Sequence, residues 1–126
     1  MILGIGCDIC NIERIRKVYD KYGKHFVDKY FAESEKKELD SKMERNAEIL
    51  AKKFAAKEAL SKAFGTGIAK GVSWQEIEVL HHENGQPYIE LRGKTADFAD
   101  KFGAEKFWLS LSDDYPWAQA FVIIED

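Results

Sequence analysis

Apolar and polar positions change rhythm along this chain, and each change marks an element. Residues Ile2 to Ile9 alternate as a strand does, with Leu3, Ile5, Cys7 and Ile9 on one face and Gly4, Gly6 and Asp8 on the other. Beyond Asn11, a side chain suited to capping a helix, Ile12, Ile15, Tyr19, Tyr22 and Phe26 recur at helical spacing and define a core-facing stripe that Gly23 weakens toward its end. A second, highly charged helix is expected from about Ala32 to Met43. A third, the longest and most apolar, runs from about Asn46 to Phe64 and stops at Gly65-Thr66-Gly67, since glycine readily takes the left-handed conformation that ends helices. Trp74–Leu80 and Tyr88–Leu91 flank Asn84-Gly85 and Pro87, which reads as a hairpin. A short helix over Thr95–Phe102 precedes two strands, Lys106–Ser112 and Ala118–Glu125, joined by the turn-prone Asp113-Asp114-Tyr115-Pro116. This order of helices and hairpins predicts an α+β fold with a mainly antiparallel sheet packed against one long helix.

Composition bounds the reading. The chain has 126 residues, 45% hydrophobic and 33% charged with 2 Pro, which fits one globular domain over residues 1–126 with a modest core. No apolar run reaches the roughly 20 residues of a membrane helix, and the start lacks a signal-peptide pattern, so a cytoplasmic protein is expected. The net charge of −3 gives no overall attraction to nucleic acid. Cys7 and Cys10 form a C-x-x-C, but three residues along a strand their sulfurs point to opposite sides and no second pair completes a zinc site, so buried apolar roles are expected.

Two carboxylates stand out. On the long helix Glu58 falls between Phe54 and Ala55 on the apolar side, with Lys62 one turn on; either the two form an i, i+4 ion pair or Glu58 meets another cation. Asp8 lies on the glycine face at the strand's end, where it either caps the next helix or faces a ligand. If the two converged they would offer the oxygen ligands that Mg²⁺ uses with waters and substrate phosphates. Arg14, Lys17, Lys21 and Lys24 share one helix face, with Lys42 and Arg45 adding positive charge downstream, a pattern that suits an acidic protein partner or simply a solvated face. Gly65-Thr66-Gly67 reads as helix termination, and His25, His81 and His82 as surface residues. No Walker, Rossmann, H-E-x-x-H or G-x-S-x-G motif occurs.

The segments GIGCDICNIERI, KFAAKEALSKAFGTGI, NGQPY and LSLSDDYPWAQAFVIIED, in this order, resemble the holo-[acyl-carrier-protein] synthases, the short bacterial 4′-phosphopantetheinyl transferases, along nearly the whole chain. The resemblance implies that fold and transfer of phosphopantetheine from coenzyme A to a serine of acyl carrier protein in fatty acid biosynthesis. It implies Asp8 and Glu58 as Mg²⁺ ligands and, with Lys62 at the reacting phosphate, as catalytic residues. Lys53, Ser61, Lys62, Gly65 and Pro87 are implied at coenzyme A, with Lys53 where arginine is frequent, Gln86 where lysine is frequent, and Asp113 left without a role. Arg14, Lys17, Lys21 and Arg45 would dock the carrier. A homotrimer is implied too, in keeping with a final strand apolar on both faces. The alternatives are transfer to carrier domains of polyketide or peptide synthases, and a non-catalytic module that holds an acidic protein.

Overall fold

The computed structural model describes residues 1–126. It comprises β1 (Ile2–Asn11), α1 (Ile12–Tyr22), α2 (Lys24–Tyr30), a single turn α3 (Glu33–Lys36), α4 (Met43–Phe64), a 3₁₀ turn (Trp74–Glu76), β2 (Ile77–His81), β3 (Pro87–Leu91), α5 (Gly93–Phe102), β4 (Lys106–Asp114) and β5 (Trp117–Glu125). The antiparallel sheet is divided: β5 lies between β1 and β4, while β2 and β3 form a separate hairpin.

The inner face of the larger sheet and α4 meet through small residues. A methyl group at Gly6 would lie 2.0 Å from the carbonyl oxygen of Ala59, and one at Gly4 2.1 Å from that of Ala63, so β1 rides directly on the backbone of α4. Ala118, Ala120, Val122 and Ile124 of β5 complete this face and are fully buried. At the far end of α4, Phe64 meets the rings of Phe98 and Phe102 edge-on at 5.1 and 5.2 Å.

Beneath α4 lies a buried ion pair. Lys57 Nζ meets Glu35 Oε1 at 2.6 Å and donates to the carbonyls of Tyr30 at 2.7 Å and Trp74 at 2.8 Å. Burial pushes the Lys57 ammonium down to about 8 although Glu35 opposes the shift. The remaining lone pairs of Glu35 accept from the backbone N–H groups of Ala32 and Val79. The pair therefore ties α3, the end of α2 and the hairpin to one point on α4.

Several sequence expectations change. The helix expected over Ala32–Met43 is only the turn Glu33–Lys36, because Glu35 turns inward and the backbone at Asp40 is held by Asn46, which accepts from Asp40 N–H at 3.0 Å and donates to its carbonyl at 2.7 Å. Asn46 is thus not the start of the long helix, which begins at Met43. The first helix breaks at Gly23, whose φ of 52° only glycine adopts easily, and the break leaves Tyr22 53% exposed rather than core-facing. Trp74 sits in a 3₁₀ turn and its ring stacks on Phe54 at 4.8 Å. Cys10 is buried as expected, but Cys7 is exposed, because it shares the outer sheet face with Ile5 and Ile9.

The β1–α4 contact leaves no space for a side chain. Gly6→Ala is expected to destabilise the protein by about 3 kcal/mol, at the upper end of the usual cost of overpacking. A thermal or urea melt measures it, and an unchanged midpoint would show that the helix can retreat freely.

Candidate active site

The contact between β1 and α4 carries chemistry at its open end. Asp8, opposite Ala120 in the sheet, follows Gly4 and Gly6 on the face that touches α4. One turn of α4 separates Glu58 from Lys62. The Lys62 ammonium turns away from Glu58 and reaches Asp8 Oδ1 at 2.9 Å and the Cys7 carbonyl at 3.1 Å. The Glu58–Lys62 ion pair therefore does not form, and Asp8 caps no helix. Asn11 does that, accepting from Glu13 N–H at 2.9 Å and Arg14 N–H at 3.3 Å.

These groups share an electrostatic neighbourhood. The Glu58 carboxyl is raised, first by burial and then by the negative charge of Asp8, while Lys62 and Arg14 partly offset both. Hydrogen bonding to Asp8 raises the Lys62 ammonium in turn. Arg14, in the first turn of α1, also acts on the Cys10 thiol, which burial raises. Two carboxylates, a lysine and an arginine thus converge from β1, α4 and α1.

The remaining predicted residues divide between two places. Arg14, Lys17 and Lys21 are exposed along α1, whereas Lys24 is paired with Asp28 at 3.3 Å. Arg45 does not join that stripe: its guanidinium donates to the Glu38 carbonyl at 3.0 Å and to Asp40 at 3.1 Å. It lines a cavity of about 350 Å³ with Lys53 and Pro87, and with Lys52, His81 and Glu38, which sequence reasoning missed. The helical spacing of Arg45, Ile49 and Lys52 was a usable signal; Glu38 and His81 arrive from distant segments and carried none.

Lys53 and Ser61 differ from expectation in detail. The Lys53 side chain is only 1% exposed, and its ammonium contacts Glu38 and the Val79 carbonyl. The buried Ser61 hydroxyl donates to the Glu58 carbonyl at 2.8 Å, bonding back onto its own helix. As they stand, neither presents a free donor to a ligand. Gly65 is the left-handed cap of α4, with φ at 79°, and is exposed.

The model of the 4′-phosphopantetheinyl transferase superfamily matches residues 4–120, which include most of β1, all of α4 and both carboxylates. The chain belongs to that superfamily. Among curated relatives, a holo-[acyl-carrier-protein] synthase of Maricaulis maris is 44% identical over 129 aligned positions, covering 99% of this chain and 90% of the relative. The crystal structure of holo-[acyl-carrier-protein] synthase from Neisseria meningitidis superposes with a TM-score of 0.89 at 34% identity, covering 100% of both chains. The Helicobacter pylori enzyme in complex with coenzyme A gives 0.84 at 30% identity, covering 96% of this chain and 99% of that one.

A raised carboxyl pKa is also a statement about stability. Because folding makes ionised Glu58 less favourable, its contribution falls as pH rises above the usual carboxylate range of about 4.3. Glu58→Gln is therefore expected to melt at a higher temperature than the parent at pH 7 and to converge with it near pH 4. A lower melting temperature at pH 7 would mean that ionised Glu58 is stabilised by the fold.

Proposed function

We propose that this phosphopantetheinyl transferase moves the 4′-phosphopantetheine arm of coenzyme A onto a serine of apo-acyl carrier protein, releases 3′,5′-ADP, serves fatty acid biosynthesis and acts in the cytoplasm. The observation that carries the reading is the contact of Asp8 with Lys62, one helical turn from Glu58, in a chain so similar to holo-[acyl-carrier-protein] synthases. No helix is long and apolar enough to cross a membrane.

The donor set fits Mg²⁺. Asp8 and Glu58 are carboxylates close enough for Asp8 to raise Glu58, and hard oxygen donors of this kind, few in number, leave places for water and phosphate. Both side chains would hold the ion. When bound, it supplies neutralisation of the charge that develops on the coenzyme's phosphate oxygens. Lys62 would neutralise the departing 3′,5′-ADP, and its raised pKa supports a charged ammonium there. Arg14 leads from this centre into Lys17 and Lys21, an exposed basic track that would bring an acidic carrier's serine to the reacting phosphate.

Mass spectrometry of apo-carrier protein incubated with the chain, coenzyme A and Mg²⁺ tests the reaction. A gain of the phosphopantetheine mass is expected, lost on addition of a chelator and lost with Asp8→Asn or Glu58→Gln. A fully active Glu58→Gln protein would refute the metal assignment.

The assembly proposed is a homotrimer. The outer face of the larger sheet is apolar yet open: Ile5 and Ile9 are each 60% exposed, and Trp108 and Phe121 lie beside them at 52% and 38%. The pairing of Ile5 and Trp108 with Ile123 makes this a continuous strip across β1, β5 and β4, of the kind that marks an interface. The count of three is implied by the resemblance to the short synthases. Light scattering is expected to give a trimer at micromolar concentration. Since Asp8 and Glu58 meet within one chain, mixing Asp8→Asn with Glu58→Gln should restore no activity, whereas mixing Asp8→Asn with Arg45→Ala should restore part of it. That rescue rests on each coenzyme A site being shared between neighbouring subunits, as the resemblance implies, and an active monomer would sink it.

A further inference from the structure

The cavity between α4 and the β2–β3 hairpin holds an electrostatic arrangement apart from the Asp8, Glu58 and Lys62 centre. Its lining is basic, with Arg45, Lys52, Lys53 and His81, and contains a single acid, Glu38. Arg45 and Lys52 are each neutralised by carboxylates outside that lining, Asp40 at 3.1 Å and Asp113 at 3.0 Å. Lys53 is different. It is 1% exposed and the only carboxylate that reaches it is Glu38, on the segment just after α3. A buried ammonium left without a counter-ion is strongly unfavourable, so no anion can take Lys53 from Glu38 unless it replaces it.

Glu38 is the more exposed member of that pair. Its side chain is 30% exposed against the 1% of Lys53, and it sits between elements rather than in one. Its Oε2, the oxygen in contact with Lys53, is itself buried, so the Lys53 contact is what holds it there. Its Oε1 lies 2.8 Å from His81 Nδ1, a second partner on the hairpin that could keep the carboxylate when Lys53 is given up. Burial opposes ionisation of Glu38, but Lys53 and then His81 outweigh it, and the carboxyl is held below its usual range.

We propose that Glu38 is an internal counter-anion that occupies Lys53 in the free protein and is exchanged for a phosphate of the coenzyme on binding, His81 retaining the displaced carboxylate. The inference rests on the coenzyme A reading above. It makes Glu38 a residue that sets affinity: it keeps the buried lysine satisfied while the cavity is empty and opposes the ligand by the same interaction. His81 acts in the other direction, by making the displacement less costly.

Isothermal titration with coenzyme A tests it on the full chain. Glu38→Gln keeps an oxygen near Lys53 but removes the charge, and should tighten coenzyme A binding about tenfold. His81→Gln should weaken it severalfold, while the KM for the carrier protein stays unchanged in both. Glu44→Gln removes a carboxylate of the same region that neither lines the cavity nor pairs with a cation lining it, and should change affinity much less than Glu38→Gln. Should Glu38→Gln fail to fold, Glu38→Asp, whose carboxylate is withdrawn by one methylene, should tighten binding in the same direction. Unchanged or weakened binding in the folded Glu38 variant overturns the proposal, as does a Glu44→Gln effect of equal size, which would reduce it to the general field of the region. The parent protein's phosphopantetheine transfer, measured in parallel by mass, keeps the readings apart: its absence would refute the function, whereas transfer with an indifferent Glu38 would refute only the exchange.

Discussion

The close approach of β1 to α4 is the constraint on which the rest depends. Strand and helix backbones touch at Gly4 and Gly6 because the strand has no side chains there and the helix presents Ala59 and Ala63. A separation set by larger side chains would be several ångströms greater, and the next inward residue on the strand, Asp8, would then fall short of Lys62. The same contact brings Asp8 near enough to raise the Glu58 carboxyl. A packing choice made with glycine and alanine thus becomes an electrostatic one two residues later.

That choice also explains what was legible in the sequence. The alternation of Gly4, Gly6 and Asp8 against Ile5, Cys7 and Ile9 identified the faces of β1, and the wheel of α4 placed Glu58 on an apolar side, so the two carboxylates could be singled out before any fold was known. Their partners could not. An i, i+4 spacing made Glu58–Lys62 the natural pair, whereas Lys62 chooses Asp8, a residue 54 positions away that local periodicity does not report. The charged segment after Ala32 failed for a related reason: it has the composition of a helix, but Glu35 is spent on Lys57, Ala32 and Val79, and those long-range bonds outcompete a further turn. Likewise Arg45 reads as one more surface cation, and only the return of the β2–β3 hairpin over α4 makes it part of a cavity wall.

The outer face of the larger sheet follows from the inner one. With β5 presenting Ala118, Ala120, Val122 and Ile124 to α4, its alternate residues Phe121 and Ile123 must face away, and the chain has no helix left to cover them. An antiparallel sheet can leave one face to water, but such a face is normally polar. Here the rows that cross the sheet are Ile5, Ile123 and Trp108, then Cys7, Phe121 and Ser110. The cost of leaving these exposed is avoided if copies of the chain bury them against one another, which is the physical content of the assembly proposed above.

The lysines of α4 show how position, rather than residue type, divides structural from chemical work. Lys53, Lys57 and Lys62 lie on one helix, yet their side chains are 1%, 0% and 53% exposed. Lys57 is enclosed by Glu35 and two backbone carbonyls, so its donors are all used and burial depresses its pKa; it can hold the fold together but has nothing to offer a ligand. Lys62 is at the open end of the strand–helix contact, where Asp8 raises its pKa without enclosing it, and its side chain stays half-exposed. Lys53 falls between these cases. It is as buried as Lys57, but its carboxylate partner is partly exposed and faces a cavity instead of a core. A buried cation whose counter-ion stands at a cavity edge is neither enclosed like Lys57 nor open like Lys62, and that intermediate position is what the proposed exchange of Glu38 rests on.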